Sequence, residues 1–499
     1  MSRRSRSRLA TLPAACALGA LLFACGGGAP APANVILVTL DTTRPDYLGT
    51  YGARVPTPAF DRIADEGARF EMAISASAVT PVSHATILTG KYPYTHGLRV
   101  SSAHGGFRLP RSQKTLAQTL KARGYSTGAV HSAFPVSGYF GFDRDFDRFE
   151  SFDGARMRED GSTEWDVGEL QRRSDETTDI ALAMLAELRE PFFLWIHYWD
   201  PHDPDVLPPP EYLADVPRAT TPGGPHPHDE LYAAEVRYLD AQFGRLLDGL
   251  DAHGLAQRTH VTVTADHGQG LSDGLARHGW ALHRMVYQEQ IRVPLLMRGP
   301  GIAAGVRVPD LVRTADIVPT LLDYLGFEPA EAYDGTTLRG LVEGGAEEPR
   351  SAYADQINDY DMNAAMKEQR PDAKFLYCVM DREWKLIYRP HMPAQSELFH
   401  LAEDPGEERD LFAERPDVAE RLLQQLAERR PWVLAPFEPD AEGYEDIRAM
   451  LESLHYTGSD LGDNVWAWTC PRHPDFRTSD DLRRHAECGA ALVPVLERP

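Results

Sequence analysis

Two short stretches place acid and imidazole directly after hydrophobic runs. In "LDTTRPD" (40–46) Asp41 follows "NVILVTL", and in "TADHG" (264–268) Asp266 and His267 follow "THVTVTA". A single aspartate past a buried strand has ordinary uses, such as capping the next helix or pairing with an arginine. Two such strand ends, one with an adjacent histidine, point to a shared cation, because carboxylate oxygens and imidazole nitrogens are metal ligands. Further imidazoles lie in "HYWDPH" (His197, His202) and in "RHGWALHRMV" (His278, His283), the second pair read as a loop ahead of a strand. With 18 histidines in the chain, chance neighbours are expected, and each lone histidine also reads as a satisfied core or surface residue.

These residues need elements to hold them. Residues 34–40 form a nearly continuous β-branched run, as in a strand buried on both faces. "PFFLWIHYWD" and "THVTVTADHG" read the same way, and "KTLAQTLKARGYSTGAVH" reads as helix, glycine turn and strand. Helices are expected over 56–68, in "TDIALAMLAELRE", and in the long amphipathic "ELYAAEVRYLDAQFGRLLDGLDAHG" ending at Gly254. The alternation predicts an α/β fold with a large, mostly parallel sheet, whose ligands gather at the carboxyl ends of strands. Between two such strands, "AVTPVSHATILTG" (78–90) reads as a small-residue run, a strand-like Thr-Ile-Leu and a Thr-Gly turn. A smaller C-terminal α+β subdomain spans 346–430, after a catalytic domain over 26–345. Residues 431–464 read as a connector, and 465–499 as a small Cys/His segment.

The 499 residues carry 42% hydrophobic and 25% charged side chains with a net charge of −23, which describes a folded globular protein. The acidic balance argues against nucleic acid or anionic lipid as general partners. An anionic substrate would need a local positive island. Arg3, Arg4, Arg6 and Arg8 precede an apolar run too short to span a membrane comfortably, ending in Leu22-Phe23-Ala24-Cys25. This resembles a bacterial lipobox, so residues 1–25 read as a lipoprotein signal with lipidation at Cys25. The alternative is a plain secretory signal. Either way the expectation is an exported protein, in the periplasm or at the outer membrane surface, reaching the membrane through its N-terminal lipid. Three cysteines remain after Cys16 and Cys25, so at most one disulfide forms.

The motifs "NVILVTLDTTRPDYLGTYG", "TPVSHATILTGKYPYTHG", "FFLWIHYWDPHDP", "VTVTADHG" with "IRVPLLMRGPG", and "WKLIYRP…ELFHLAEDPGEERDL" occur in an order that resembles the sulfatase branch of the alkaline phosphatase superfamily. The resemblance implies an alkaline-phosphatase-like sheet and ester hydrolysis. Sulfatases use a formylglycine made from Cys or Ser at the head of Cys-x-Pro-Ser-Arg-x-x-Leu-x-Thr-Gly. Thr80 stands at that head here, with Ser83 matching the motif serine, His84 replacing the arginine, and Ser83 itself the rival nucleophile. Oxidation of a threonine would give a ketone, not an aldehyde. Threonine is nevertheless a nucleophile when a cation lowers its hydroxyl pKa. Relatives such as nucleotide pyrophosphatases and lipoteichoic acid synthase use threonine in this way. By that resemblance Asp41, Thr80, Asp266 and His267 hold one divalent ion (Ca, Mn or Zn), and Thr42 stands where sulfatases carry a second aspartate. The resemblance also assigns proton transfer to His96, His202 and His283, and contacts with the anionic ester to His84, Lys91, His197 and His278.

At the C-terminus, Cys470-x-x-His473 and His485-x-x-Cys488 have the spacing of a tetrahedral zinc site. They also resemble a small bacterial heavy-metal-binding module. The alternative is a Cys470–Cys488 disulfide, which export would favour. The functional reading is an exported, metal-dependent hydrolase of sulfate or phosphate esters. The alternatives are a phosphotransferase acting on envelope lipid or glycan, and a catalytically inactive envelope binding protein.

Overall fold

The computed structural model describes residues 32–53, 55–100, 108–151, 155–157, 163–165, 172–202, 207–214 and 227–432, and within the last stretch 465–470, 473–478, 486, 488 and 492–497. Cys25, most of the connector and His485 lie outside the described residues.

In chain order the main strands are β1 (Asn34–Leu40), β2 (Ala68–Ile74), β3 (Ser126–His131), β4 (Arg148–Glu150), a separate hairpin of β5 (Ala155–Met157) and β6 (Thr163–Trp165), β7 (Phe192–Tyr198), β8 (Thr259–Ala265), β9 (Arg292–Arg298) and β10 (Val306–Arg313). Eight of them form one sheet in the order β10-β2-β9-β8-β1-β7-β3-β4. β9 runs antiparallel to both β8 and β2, and the other pairings are parallel, so the sheet is mixed and mostly parallel. Every residue of β1, β7 and β8 is buried, which is why these strands read as unbroken apolar or β-branched runs.

Register matters most for the chemistry. Leu40 pairs with Tyr198 of β7 and with Ala265 of β8, and His131 pairs with His197. Neighbouring strands lie about 4.8 Å apart. Residues just past the ends of β1 and β8 therefore meet at one edge.

The helices that flank the sheet include α1 (Pro58–Glu66), α2 (Thr80–Thr89), α3 (Pro93–His96), α4 (Leu116–Lys121), α5 (Ser174–Glu187), α6 (Pro227–Ala252), α7 (Leu271–His278), α8 (Gln288–Ile291) and α9 (Ile317–Tyr324). The stretch expected to be strand-like around Thr86-Ile87-Leu88 is helix α2. All ten of its residues are buried, so no polar face marks the helical period. Pro81 fits its first turn and Gly90, at φ +68°, ends it in the left-handed conformation.

A second sheet, β11 (Ala352–Gln356), β12 (Leu376–Met380), β13 (Trp384–Tyr388) and β14 (Glu397–His400), is antiparallel throughout. It is buried on both faces by alternating residues. Tyr353, Tyr377, Val379 and Leu386 pack with the helix Pro416–Arg429, while Ala354, Leu376, Cys378 and Ile387 pack with Trp280, Met285, Val286 and Tyr287. The segment 280–287 is thus fixed between the two sheets. The last described strands, β15 (Val465–Cys470), β16 (His473–Thr478) and β17 (Val493–Glu497), form a small sheet in the order β16-β15-β17. Cys470 and His473 are opposed at its hairpin end.

Candidate active site

Asp41 and Asp266 continue the sheet ladder by one bond each. The Asp41 N–H donates to Tyr198 O (2.9 Å) and the Asp266 N–H donates to Leu40 O (3.1 Å). The two carboxylates therefore leave adjacent strands at the same level, and both are fully buried. Asp266 Oδ1 accepts from the backbone N–H of Thr42 (3.1 Å) and of His267 (2.7 Å), which turns Oδ2 toward the site. Thr42 adopts φ +45°, a conformation costly for a β-branched residue, and the Tyr232 hydroxyl donates to its carbonyl at 2.6 Å. His267 Nδ1–H donates to Gly268 O (2.9 Å), leaving the Nε2 lone pair for another partner. Gly268 is required by a close approach, because a Cβ there would meet Glu289 O at 2.2 Å.

Thr80 opens α2 at this edge. Its Oγ1 lies 3.3 Å from His267 Nε2 and 3.5 Å from Asp41 Oδ2. The amino end of a ten-residue helix adds a favourable field for anionic groups. Ligand atoms of Asp41, Asp266 and His267 all lie within 4.8 Å of one another. Asp41 Oδ1 and Asp266 Oδ2 are buried and have no hydrogen-bond partner among the described residues. Burial, and for Asp41 the neighbouring Asp266, pushes both carboxyls well above the usual carboxylate range. A divalent cation supplies what this arrangement lacks, and the residues present fit one. Burial pushes the His267 imidazole down to about 3, so it is neutral, as a ligand must be.

His202 and His283 border the same group. The His283 ring lies 4.9 Å from that of His267 and 5.5 Å from that of His202. His283 Nδ1–H donates to Ala78 O (3.0 Å), while both His202 nitrogens have no hydrogen-bond partner among the described residues. His197 reaches the site from β7, with Nε2 3.5 Å from Asp41 Oδ2.

Four sequence-based assignments are not matched by position. His84 is buried with both nitrogens engaged, Nδ1–H donating to Thr80 O (2.8 Å) and Nε2 meeting Thr39 Oγ1 (3.0 Å), so it supports the first turn of α2 and leaves no nitrogen for a substrate. Lys91 lies past the far end of α2, where its ammonium meets Gln113 (2.9 Å) and Glu331 (3.1 Å). His96 is held by Thr86 Oγ1 (3.1 Å) and by the Leu98 N–H (3.1 Å), toward that same end, out of reach of the Thr80 proton. His278 ends α7 instead of lying in a loop, and its nitrogens meet Glu289 Oε1 (2.8 Å) and Glu407 O (3.1 Å), away from Thr80. The rival nucleophile Ser83 turns its hydroxyl back to Thr80 O (3.0 Å).

Two residues escaped sequence reasoning. His131 ends β3 level with His197, a placement its position at a strand's carboxyl end could have signalled. Arg284 is buried beside His283, and its charge helps hold His202, His267 and His283 neutral, secondary to burial. No local motif marks it.

The family model described as Sulfatase matches residues 33–327, more than half of the chain. The chain belongs to the sulfatase family. A second family model, N-sulphoglucosamine sulphohydrolase, C-terminal, matches residues 276–431 and so takes in the 280–287 segment and the second sheet. Among relatives, an ulvan-active sulfatase of Formosa agariphila is 27% identical over 350 residues, covering 63% of this chain and 66% of that protein. The alignment thus spans just under two thirds of that relative. An N-acetylglucosamine-6-O-sulfatase of Bacteroides thetaiotaomicron is 23% identical over 499 residues, covering 79% and 86%. Among solved structures, a protein in complex with its substrate D-glucosamine-2-N,6-O-disulfate superposes with a TM-score of 0.64 at 22% identity, covering 80% of this chain and 97% of the other. The phosphonate monoester hydrolase of Agrobacterium radiobacter gives 0.62 at 21%, covering 94% and 100%. The sulfatase fold is thus shared by proteins named for sulfur esters and for phosphorus esters.

Proposed function

We propose that this sulfatase-family chain is an exported, metal-dependent hydrolase of anionic sulfate or phosphate esters, with Thr80 as nucleophile. The observation that carries this reading is the Thr80 hydroxyl, 3.3 Å from His267 Nε2 and 3.5 Å from Asp41 Oδ2, at the position where sulfatases carry formylglycine. Asp41, Thr80, Asp266 and His267 would hold one divalent ion. Such an ion, when bound, lowers the hydroxyl pKa and offsets charge on the transferred group.

The chain's own groups do the rest. Thr80 Oγ1 passes its proton to His283 Nε2 and bonds to the ester sulfur or phosphorus as the bond to the leaving oxygen breaks. His202, neutral until an anionic ester arrives and raises its proton affinity, carries a proton to that oxygen. His283 Nε2, its ring fixed through Nδ1, flanks the same place. Water then attacks the sulfur or phosphorus and passes a proton to His202, while the Thr80 ester bond breaks and Thr80 Oγ1 takes back the proton held by His283. The relatives named for ulvan and N-acetylglucosamine sulfates and the phosphonate monoester hydrolase support an anionic ester without choosing between sulfur and phosphorus.

The test is an assay of aryl sulfate, phosphate monoester and phosphodiester substrates with Mn²⁺, Zn²⁺ and Ca²⁺, beside Thr80→Ala. Turnover is expected to fall about 10³-fold or more in the variant. Strong turnover surviving in Thr80→Ala would overturn the nucleophile, and transfer to an added alcohol in preference to water would identify a phosphotransferase. The same reading makes Cys25 the lipid-bearing residue. Metabolic labelling with a fatty acid that leaves Cys25→Ser as heavily labelled as the natural chain would reject that assignment.

A further inference from the structure

We propose that Trp199 is the positioning residue for His202: its indole face holds the imidazole in place, a role that rests on the reading of His202 as the group that carries a proton to the leaving oxygen. An imidazole that moves protons needs its nitrogens free and its ring still. Its neighbours are each held through a nitrogen. His267 Nδ1–H donates to Gly268 O (2.9 Å) and His283 Nδ1–H donates to Ala78 O (3.0 Å). Neither nitrogen of His202 has a hydrogen-bond partner among the described residues, so only the faces of its ring remain to fix it. The Trp199 ring lies against one of them, with centroids 3.9 Å apart and planes inclined by 29°. The ring of His283 stands farther off, at 5.5 Å and tilted by 54°. A flat aromatic surface restrains the tilt of an imidazole, whereas an aliphatic side chain touches it without setting its plane.

The stack follows from a turn. β7 ends at Tyr198, and the His202 N–H donates to Trp199 O (2.9 Å), which closes residues 199–202. A turn closed in this way brings its first and last residues within about 7 Å, near enough for two flat rings to meet. Asp200, inside the turn, is anchored through Oδ2, which accepts from Ser174 Oγ (2.6 Å) at the head of α5. Trp199 is itself buried and meets His197 edge-on, with rings 6.3 Å apart at 82°. Tyr198 O, one residue earlier, accepts the Asp41 N–H (2.9 Å). The indole thus carries the register of the sheet to His202 and leaves both imidazole nitrogens for protons.

The experiment reads kcat/KM of the full metal-loaded chain on sulfate and phosphate esters of phenol and of dinitrophenol. Phenol leaves as a strong base and needs a proton, whereas dinitrophenol leaves without one. Trp199→Met keeps bulk but has no flat face. It is expected to lower kcat/KM roughly 10–100-fold on the phenyl esters, and about threefold or less on the dinitrophenyl esters. Trp199→Phe should recover most of the phenyl-ester rate, and His202→Ala should be selective in the same sense as Trp199→Met. Equal losses on both leaving groups in Trp199→Met would overturn the proposal, because a residue that only fills the core moves both alike. So would a Trp199→Phe variant as impaired on phenyl esters as Trp199→Met. Should Trp199→Met not fold, the natural chain decides. The histidine ring-proton NMR signal that vanishes in His202→Ala should lie upfield, shielded by the indole, and an unshielded signal rejects the stack. A natural chain that hydrolyses neither series, or a His202→Ala variant equally impaired on both leaving groups, defeats the reading of the site and this role with it. A selective His202→Ala beside an unselective Trp199→Met is the failure of Trp199 alone.

Discussion

At the scale of single residues, the site is a matter of which lone pairs remain after the fold has used the rest. Asp266 spends Oδ1 on two backbone N–H groups and His267 spends Nδ1 on a carbonyl, so one atom of each is left to face Thr80. Sequence reading singled out these residues because two buried runs end in acids, one beside an imidazole, a pattern that capping or pairing with arginine explains less readily than it explains one aspartate. It misjudged His84, Lys91, His96 and His278 because nearness along the chain says nothing about which way a ring or ammonium turns. Thr42 belongs to this scale too. Its Oγ1 is buried with no hydrogen-bond partner among the described residues, and its φ of +45° is one that aspartate tolerates better than threonine. Thr42→Asp is therefore expected to add an oxygen ligand and shift preference toward Ca²⁺, which favours more oxygen donors than Zn²⁺ does. Competition between the two ions for the metal-free protein checks this. Unchanged relative affinities would count against Thr42 facing the candidate cation site.

At the scale of elements, β1, β7 and β8 were legible as apolar runs, and their common register delivers Asp41, His197 and Asp266 to one edge. Helix α2 was not legible, because complete burial removed its polar stripe and its Thr-Ile-Leu suits a strand equally well. The α7–α8 segment is clamped by His278, which bonds Glu289 and stacks on Tyr287 with ring centres 3.7 Å apart. The Glu289 carboxylate raises the His278 pKa against the opposing pull of burial, and His278 in turn lowers that of Glu289. For a histidine whose folded pKa exceeds its unfolded value of about 6.5, the stabilisation is complete below that value and fades as pH rises through the folded pKa. From the glutamate's side, the same pair fades as pH falls through the lowered Glu289 pKa. The melting temperature of the natural chain should thus exceed that of His278→Gln most at mildly acidic pH, with the gap closing on the alkaline side. A gap independent of pH would show that the clamp works by packing alone.

At the scale of the whole molecule, the second sheet is as much a part of the site as the first. It holds the segment carrying His283 and Arg284 by packing on Trp280, Met285, Val286 and Tyr287, a dependence that no local stretch of sequence announces. Beneath that contact lies an ion pair between Lys385 and Glu407, 2.6 Å apart with both side chains fully buried. Burial still pushes the Glu407 carboxyl above its usual range, more than Lys385 pulls it down. Removing the cation alone therefore leaves a buried charge. Lys385→Met is expected to cost about 3–5 kcal/mol, and pairing it with Glu407→Gln should recover much of the loss. Urea unfolding of the single and double variants measures both. Equal stabilities of the two would mean that Glu407 finds another partner.

The hydroxyl at the head of α2 has a consequence for how the protein comes to work. Formylglycine has to be made from a cysteine or serine before a sulfatase centre built on it can act, whereas Thr80, on the reading proposed above, is written in the gene and is in place once the chain has folded. Cell-free translation with no modifying enzyme should then yield the same specific activity as expression in any living host.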